Sequence, residues 1–256
     1  MKKVTAFVGS ARKGHTLDAA AQFLDSLASL GDIETEIVRI SDVRLETCIG
    51  CKVCFEKGEA YCPLKDDRDL LLEKMATSDG IVLASPNYSF QVSALMKTFL
   101  DRLGFAFHRP RFFGKTFTSI VAQGVYGGNK IVKYLNFVGY ALGFKTVKGS
   151  CITTMDPVTE KQQRKIDRAL ARQAKRYTAT LAKPAYPAPS FIELVFFRMS
   201  RTKIKLMLDD SSADYRYYAE KGWLSSDFYY PARLGMLKKG IGMLSDRTFA
   251  AMTRAR

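Results

Sequence analysis

The sequence predicts an α/β protein: a doubly wound, five-stranded parallel sheet covered by helices on both faces, followed by a mostly helical C-terminal extension. Three observations carry this prediction. Short apolar runs rich in β-branched residues recur five times. Each is followed by apolar residues at helical spacing, and strict alternation of this kind gives a parallel sheet buried on both faces. The alternation stops at Lys183-Pro184-Ala185-Tyr186-Pro187-Ala188-Pro189-Ser190, whose three prolines read as a stiff linker.

The elements follow in order. Val4 to Val8 is a buried strand, and Leu17, Ala20, Ala21, Leu24, Leu27 and Ala28 mark the helix after it. Glu34 to Ile40 alternates as a second strand. A cysteine-bearing loop covers 42–65, and Asp66 and Asp67 read as an N-cap for a helix reaching about Met75. Ile81 to Ala84 is a third strand, and Val92, Leu95, Met96, Phe99, Leu100 and Leu103 share one face of the next helix. Phe117 to Ala122 is a fourth strand, with a helix from about Asn129 to Leu142. Phe144 to Ile152 is the fifth strand, and a helix spans roughly Val158 to Leu181. Five such units give a flavodoxin-like order, whose ligands bind at the carboxyl ends of the strands. The domain so defined is 1–182, the linker 183–190 and the extension 191–256. Within the extension, Phe191–Leu208 and Leu234–Met252 read as helices, and Tyr215–Tyr230 is dense in aromatics around the only tryptophan, Trp223. The extension is too short for a comfortable core of its own, so it is expected to pack on the main domain or on a second subunit.

Composition narrows the function classes. At 47% hydrophobic and 25% charged residues the chain is an ordinary globular one. No apolar stretch is long enough to span a bilayer. The N-terminal run is too short for a cleavable signal, which points to the cytoplasm. The formal net charge of +15 invites an anionic partner. Much of it lies along Lys161, Arg164, Lys165, Arg168, Arg172, Lys175 and Arg176, opposite Ile166, Leu170, Ala174, Tyr177 and Leu181. That is the solvated face of an amphipathic helix, and no zinc-finger or RNP-like motif supports nucleic-acid binding.

Three loops at carboxyl ends of strands have unusual chemistry. Gly9 to Thr16 combines glycines, the hydroxyls of Ser10 and Thr16, the charges of Arg12 and Lys13 and a fresh helix N-terminus, which suits a phosphate. It has neither dinucleotide-fingerprint nor Walker spacing. The second loop is Ser85-Pro86-Asn87-Tyr88-Ser89-Phe90, and the third is Gln123-Gly124-Val125-Tyr126-Gly127-Gly128.

Gly9-Ser10-x-Arg12 with Thr16, and Ser85-Pro86-x-Tyr88 followed by Leu95-x-Lys97 and Asp101-Arg102, resemble the NADPH-dependent FMN reductase family of flavodoxin-like proteins over about residues 1–182. The resemblance implies FMN at the carboxyl edge of the sheet. Ser10, Arg12, His15 and Thr16 would hold its phosphate. Pro86, Asn87, Tyr88, Ser89 and Phe90 would line the isoalloxazine, with Gln123, Gly124 and Gly127 on its other side. Aromatic walls and backbone donors are what a flavin needs. Core packing is the rival reading for Tyr88 and Phe90. Lys97, Asp101 and Arg102 read as structural or interfacial, and His108 as a surface or helix-end residue.

Four of the five cysteines fall in one loop: Cys48-x2-Cys51-x2-Cys54-x7-Cys62-Pro63. Such spacing suggests metal or redox chemistry before disulfides. Three thiolates spaced this way can meet on one cubane, with the fourth completing the set. The pattern resembles the iron–sulfur flavoprotein branch of the same family, which implies a [4Fe–4S] cluster exchanging single electrons with FMN. Zinc, which favours two separated C-x2-C pairs, and redox-active thiols without a cluster are the alternatives. Cys151 reads as a small buried hydrophobe.

These readings converge on a cytoplasmic, homodimeric or homotetrameric FMN oxidoreductase. It would draw on NAD(P)H or a protein donor and serve a small-molecule or protein acceptor, with no acid–base residue assigned. The rivals are an electron carrier without turnover, and a protein that lays Phe191, Ile192, Val195, Phe196 and Phe197 on anionic lipid beside Arg198, Arg201, Lys203 and Lys205.

Overall fold

A computed structural model describes residues 1–254. In chain order the elements are β1 (Lys2–Val8), α1 (His15–Ala28), β2 (Ile33–Arg39), α2 (Val53–Glu56), α3 (Arg68–Thr77), β3 (Gly80–Pro86), α4 (Ala94–Arg102), α5 (Gly104–His108), β4 (Thr116–Gln123), α6 (Gly128–Ala141), β5 (Lys145–Thr146), β6 (Ser150–Thr153), α7 (Glu160–Leu181), α8 (Phe191–Met207), α9 (Ala213–Glu220) and α10 (Met236–Arg254). They divide into two compact units. The first is Met1–Cys48 with Leu64–Lys183, and the second is Ile49–Pro63 with everything from Pro184 onward.

In the first unit the strands run parallel in the order β2-β1-β3-β4-β5, with β6 also pairing β4. This is the flavodoxin-like order, whose direction reverses between β1 and β3. Alternation along the central strands explains why both faces are covered. Val4, Ala6, Val8, Val82, Ala84, Ile120 and Ala122 form one core with Phe23 and Leu27 of α1 and Ile166, Leu170 and Tyr177 of α7. On the other face Phe7 stacks on Phe99 of α4, with ring centroids 5.3 Å apart. All seven cations singled out along α7 are exposed, as the helical pattern requires.

The fifth strand is broken where the sequence reads as continuous. Phe117 pairs Thr146, but Ile120 pairs Ser150, so one extra residue is absorbed between β5 and β6. A Cβ on Gly149 would come within 2.3 Å of the Ser119 carbonyl oxygen, so this approach needs glycine. The backbone groups released by the break are satisfied from the side. Thr118 Oγ1 donates to Val147 O at 3.0 Å, and Gln173 of α7, fully buried, donates to Ser119 O at 3.0 Å.

The expected acidic N-cap holds only in part: Asp66 Oδ1 accepts from Arg68 N, the first residue of α3, at 3.3 Å. Asp67 occupies the cap position of α3 but makes no side-chain capping bond. Its carboxylate accepts instead from Arg44 N at 2.7 Å, while Asp67 N donates to Arg44 O at 2.9 Å. Asp66 accepts from Glu46 N and from the Arg102 side chain, each at 2.8 Å. Two aspartates thus tie together the roots of the cysteine loop. Arg102 is structural, as is Lys97, which pairs with Asp101 one turn along α4. His108 is exposed at the end of α5.

In the second unit α8 packs along α10, and Ser190 with Glu193 forms a capping box at the start of α8. Buried Arg198 pairs with Asp227 and Asp246. Trp223 sits among Tyr218, Tyr229 and Tyr217, and its Nε1 donates to Tyr229 O at 2.8 Å. The helix α9 and its aromatic turn resolve the stretch that the sequence marks only as aromatic-rich. Among the described residues no helix is long and apolar enough to cross a membrane.

Candidate functional site

The carboxyl edge of the first unit holds a cavity of about 290 Å³. It is built from four loops, those after β1, β3, β4 and β6. Gly9 N donates to Ala84 O at 2.8 Å, which joins the first loop to β3. Ser93 reinforces this junction: its hydroxyl donates to Gly9 O and also accepts from Met96 N, capping α4. Asn87 N donates to Ala122 O at 2.7 Å, which joins the second loop to the third.

Nine residues singled out from the sequence line this cavity: Ser10, Arg12, His15, Thr16, Pro86, Asn87, Tyr88, Gln123 and Gly124. Ser10 and Thr16 are nearly fully buried, and α1 starts at His15 with no side-chain cap over its first N–H groups. Hydroxyls and helix N–H groups therefore meet at one end, where an anion is best held. His15 is also engaged elsewhere, with Nε2 2.9 Å from Asp156 Oδ1. The amide of Gln123 serves loop structure: its oxygen accepts from Gly128 N at 2.7 Å, fixing the start of α6.

Ser89, Phe90 and Gly127 lie outside the cavity lining. Tyr88 and Gln91 exchange backbone hydrogen bonds of 3.0 and 2.9 Å around Ser89 (φ 48°) and Phe90 (φ 63°). This is a two-residue type I′ hairpin built without glycine, a strained arrangement that persists only where its surroundings impose it. Core packing is excluded for both rings, since Tyr88 is 46% and Phe90 57% exposed. Phe90 lies against Tyr126, centroids 5.3 Å apart, and over Gly127, whose φ of 95° excludes most other residues.

The sequence reading missed the fourth loop. Thr154 and Asp156 line the cavity, and Thr154 N donates to Gln123 O at 2.8 Å. Nothing in their local sequence marks them. They arrive because the register shift in the broken strand carries β6 alongside the end of β4.

Asn87 Nδ2 donates to Tyr126 O at 2.9 Å, which ties the second loop to the third a second time. FMN suits this cavity, with a phosphate for the α1 end and a flat ring for Pro86 and Tyr88.

The cysteines differ in setting. Cys48 and Cys51 are exposed, Cys54 is partly covered and Cys62 is buried. Among the described residues no three His, Cys, Asp or Glu side chains gather into a metal-sized site. The donor set suits an iron–sulfur cluster, but in this arrangement the donors do not converge. Cys151 is half-buried against Gly128, and burial pushes its thiol pKa up to about 11.

The chain is 32% identical over 236 residues to an iron-sulfur flavoprotein of Archaeoglobus fulgidus, covering 87% of this chain and all of the relative. It is 44% identical over 101 residues to an iron-sulfur flavoprotein of Methanocaldococcus jannaschii, covering 39% of this chain and 51% of that one. Among solved structures it is similar to RosB with bound 8-demethyl-8-formylriboflavin-5'-phosphate, with TM-score 0.55, 15% identity and 92% of each chain covered. At that identity the likeness shows the fold alone. The model of the NADPH-dependent FMN reductase family matches residues 2–155, which span the sheet and every cavity-lining residue except Asp156. By that match the chain belongs to the NADPH-dependent FMN reductase family.

Proposed function

We propose that this protein is an FMN-dependent oxidoreductase that draws reducing equivalents from NAD(P)H and delivers them to a small-molecule or protein acceptor. The observation that carries the proposal is the four-loop cavity, with hydroxyls and an uncapped helix start at one end and Pro86 and Tyr88 in its wall. Ser10, Thr16 and the first turn of α1 hold the phosphate, with Arg12 adding charge. Pro86 and Tyr88 form a stiff wall against the ring, with Asn87 beside them. The backbone near Gly124 closes the other side and excludes water from it. Bound there, FMN supplies hydride acceptance and one- or two-electron release. No side chain in the cavity is assigned a proton-transfer role, because the protein's task in such a site is to position and tune the ring.

The test is anaerobic purification, absorption spectroscopy and FMN titration, followed by steady-state NADH and NADPH oxidation. Stoichiometric FMN binding with nicotinamide-dependent reduction supports the proposal. A colourless chain that fails to take up FMN overturns it. Negligible turnover with flavin bound would favour a second reading, a carrier to a protein partner. Because the four cysteines do not converge, no electron step is assigned to them. Iron and sulfide analysis of the same anaerobic preparation decides whether Cys48, Cys51, Cys54 and Cys62 take up a [4Fe–4S] cluster. Light scattering of that preparation tests assembly as a homodimer or homotetramer.

A further inference from the structure

The second unit joins two stretches of chain that are far apart in sequence. One is Ile49–Pro63, which carries Cys51, Cys54 and Cys62, and the other is the helical extension. Arg216 of α9 links them. Its Nη1 donates to Asp210 O at 2.6 Å and Ser211 O at 2.9 Å, within the extension. Its Nη2 donates to Glu56 O at 3.3 Å and Lys57 O at 3.0 Å, some 160 positions away in the chain. Beside it, Ser212 Oγ donates to Phe55 O at 3.5 Å. Phe55, Glu56 and Lys57 form the last turn of α2, where a helix leaves carbonyls without internal partners and where a cation is favoured.

This turn needs outside support. The helix α2 has only four residues, far below the length at which a helix persists alone. It is entered through Lys52 at φ 61°, a left-handed conformation that costs a side-chain-bearing residue free energy. Cys51 precedes it, Cys54 lies within it, and Cys62 follows its next turn. The guanidinium fork suits the task, because one planar group reaches four carbonyl oxygens at once.

We propose that the helical extension is the receptor for the cysteine segment, with Arg216 as the positioning residue that fixes the arrangement of Cys51, Cys54 and Cys62. The proposal concerns the thiols themselves and is independent of flavin binding. It gives the extension a specific task, that of ordering a segment that cannot order itself.

The test compares the full chain with Arg216→Ala under reducing conditions. Two readouts are followed: amide hydrogen exchange across Val53–Cys62, and alkylation of each cysteine mapped by mass spectrometry. Exchange across the segment and alkylation of buried Cys62 should accelerate by roughly threefold to tenfold, the range for losing several charged hydrogen bonds of an exposed side chain. Alkylation of Cys151 and FMN uptake, both in the first unit, should stay unchanged. Rates at Cys62 and across Val53–Cys62 within twofold of the parent overturn the proposal. If Arg216→Ala loses the native emission of Trp223, Arg216→Lys decides by the same readouts. It keeps the charge and much of the stem but not the fork, so acceleration at Cys62 supports the proposal and unchanged rates overturn it.

Discussion

Replacing Asp66 with alanine should cost this protein far more than the loss of an ordinary ion pair. The side chains of Asp66 and Arg102 are 1% and 3% exposed. The carboxylate accepts from Arg102 Nη2 at 2.8 Å, Glu46 N at 2.8 Å and Arg68 N at 3.3 Å. Burial by itself would raise its pKa, but the Arg102 guanidinium and the two backbone donors outweigh burial and hold it below the ordinary value of 3.8. Alanine would remove one member of a buried ion pair, and breaking such a pair from one side costs about 3–5 kcal/mol. An exposed pair would cost about 0–1 kcal/mol. With a urea dependence of about 3 kcal/mol per molar, the unfolding midpoint should fall by about 1–1.7 M. Far-UV ellipticity is the readout, because Trp223 belongs to the second unit. The pH dependence has a definite sign. With a lowered folded pKa, the contribution is complete above the unfolded value and is lost as pH falls through the folded one. The advantage of the parent over Asp66→Asn should therefore hold at neutral pH and shrink below about 3.8. A destabilisation under about 1 kcal/mol, or an advantage that persists through strong acid, would refute the reasoning.

Three further outcomes follow from the site. Ser10→Ala and Thr16→Ala should each weaken FMN binding by about fivefold to tenfold while leaving riboflavin, which lacks the phosphate, unaffected; equal losses for both ligands in a fluorescence titration would remove these hydroxyls from the phosphate site. Gly127→Ala should destabilise the first unit by about 1–2 kcal/mol, because φ is 95° and the new Cβ would lie 2.8 Å from Phe90 Cδ1; an unchanged melting temperature would contradict this. Cys151, with its pKa raised to about 11, should alkylate more slowly at pH 8 than exposed Cys48 and Cys51, and its rate should rise about tenfold per pH unit up to pH 10; fast modification at pH 8 would mean that its burial is misjudged.

Periodicity made most of the fold legible. The β–α alternation marked all five strands of the sheet and the helices on both faces, because a parallel sheet buried on two sides demands apolar runs wherever it occurs. Three of the four loops around the cavity were legible too, since glycine, proline, aromatic and hydroxyl residues at strand ends have few other uses. What stayed hidden is long-range. Asp67 looks like a helix cap, but its partner is Arg44, and local sequence cannot weigh a distant backbone N–H against a near one. The fifth strand looks continuous, and only the collision awaiting any side chain at Gly149 explains its break.

By itself, then, the sequence determined the class of fold, the glycine, hydroxyl and cationic make-up of the first loop and the clustering of four thiols, all of which are properties of neighbouring residues. The tertiary structure alone decided that Thr154 and Asp156 complete the cavity, that Asn87 ties its loop to Tyr126 and that Arg216 holds the turn carrying Cys54. These depend on groups from separate parts of the chain meeting in space, where burial and hydrogen-bond partners are settled by the packed whole rather than by the order of residues.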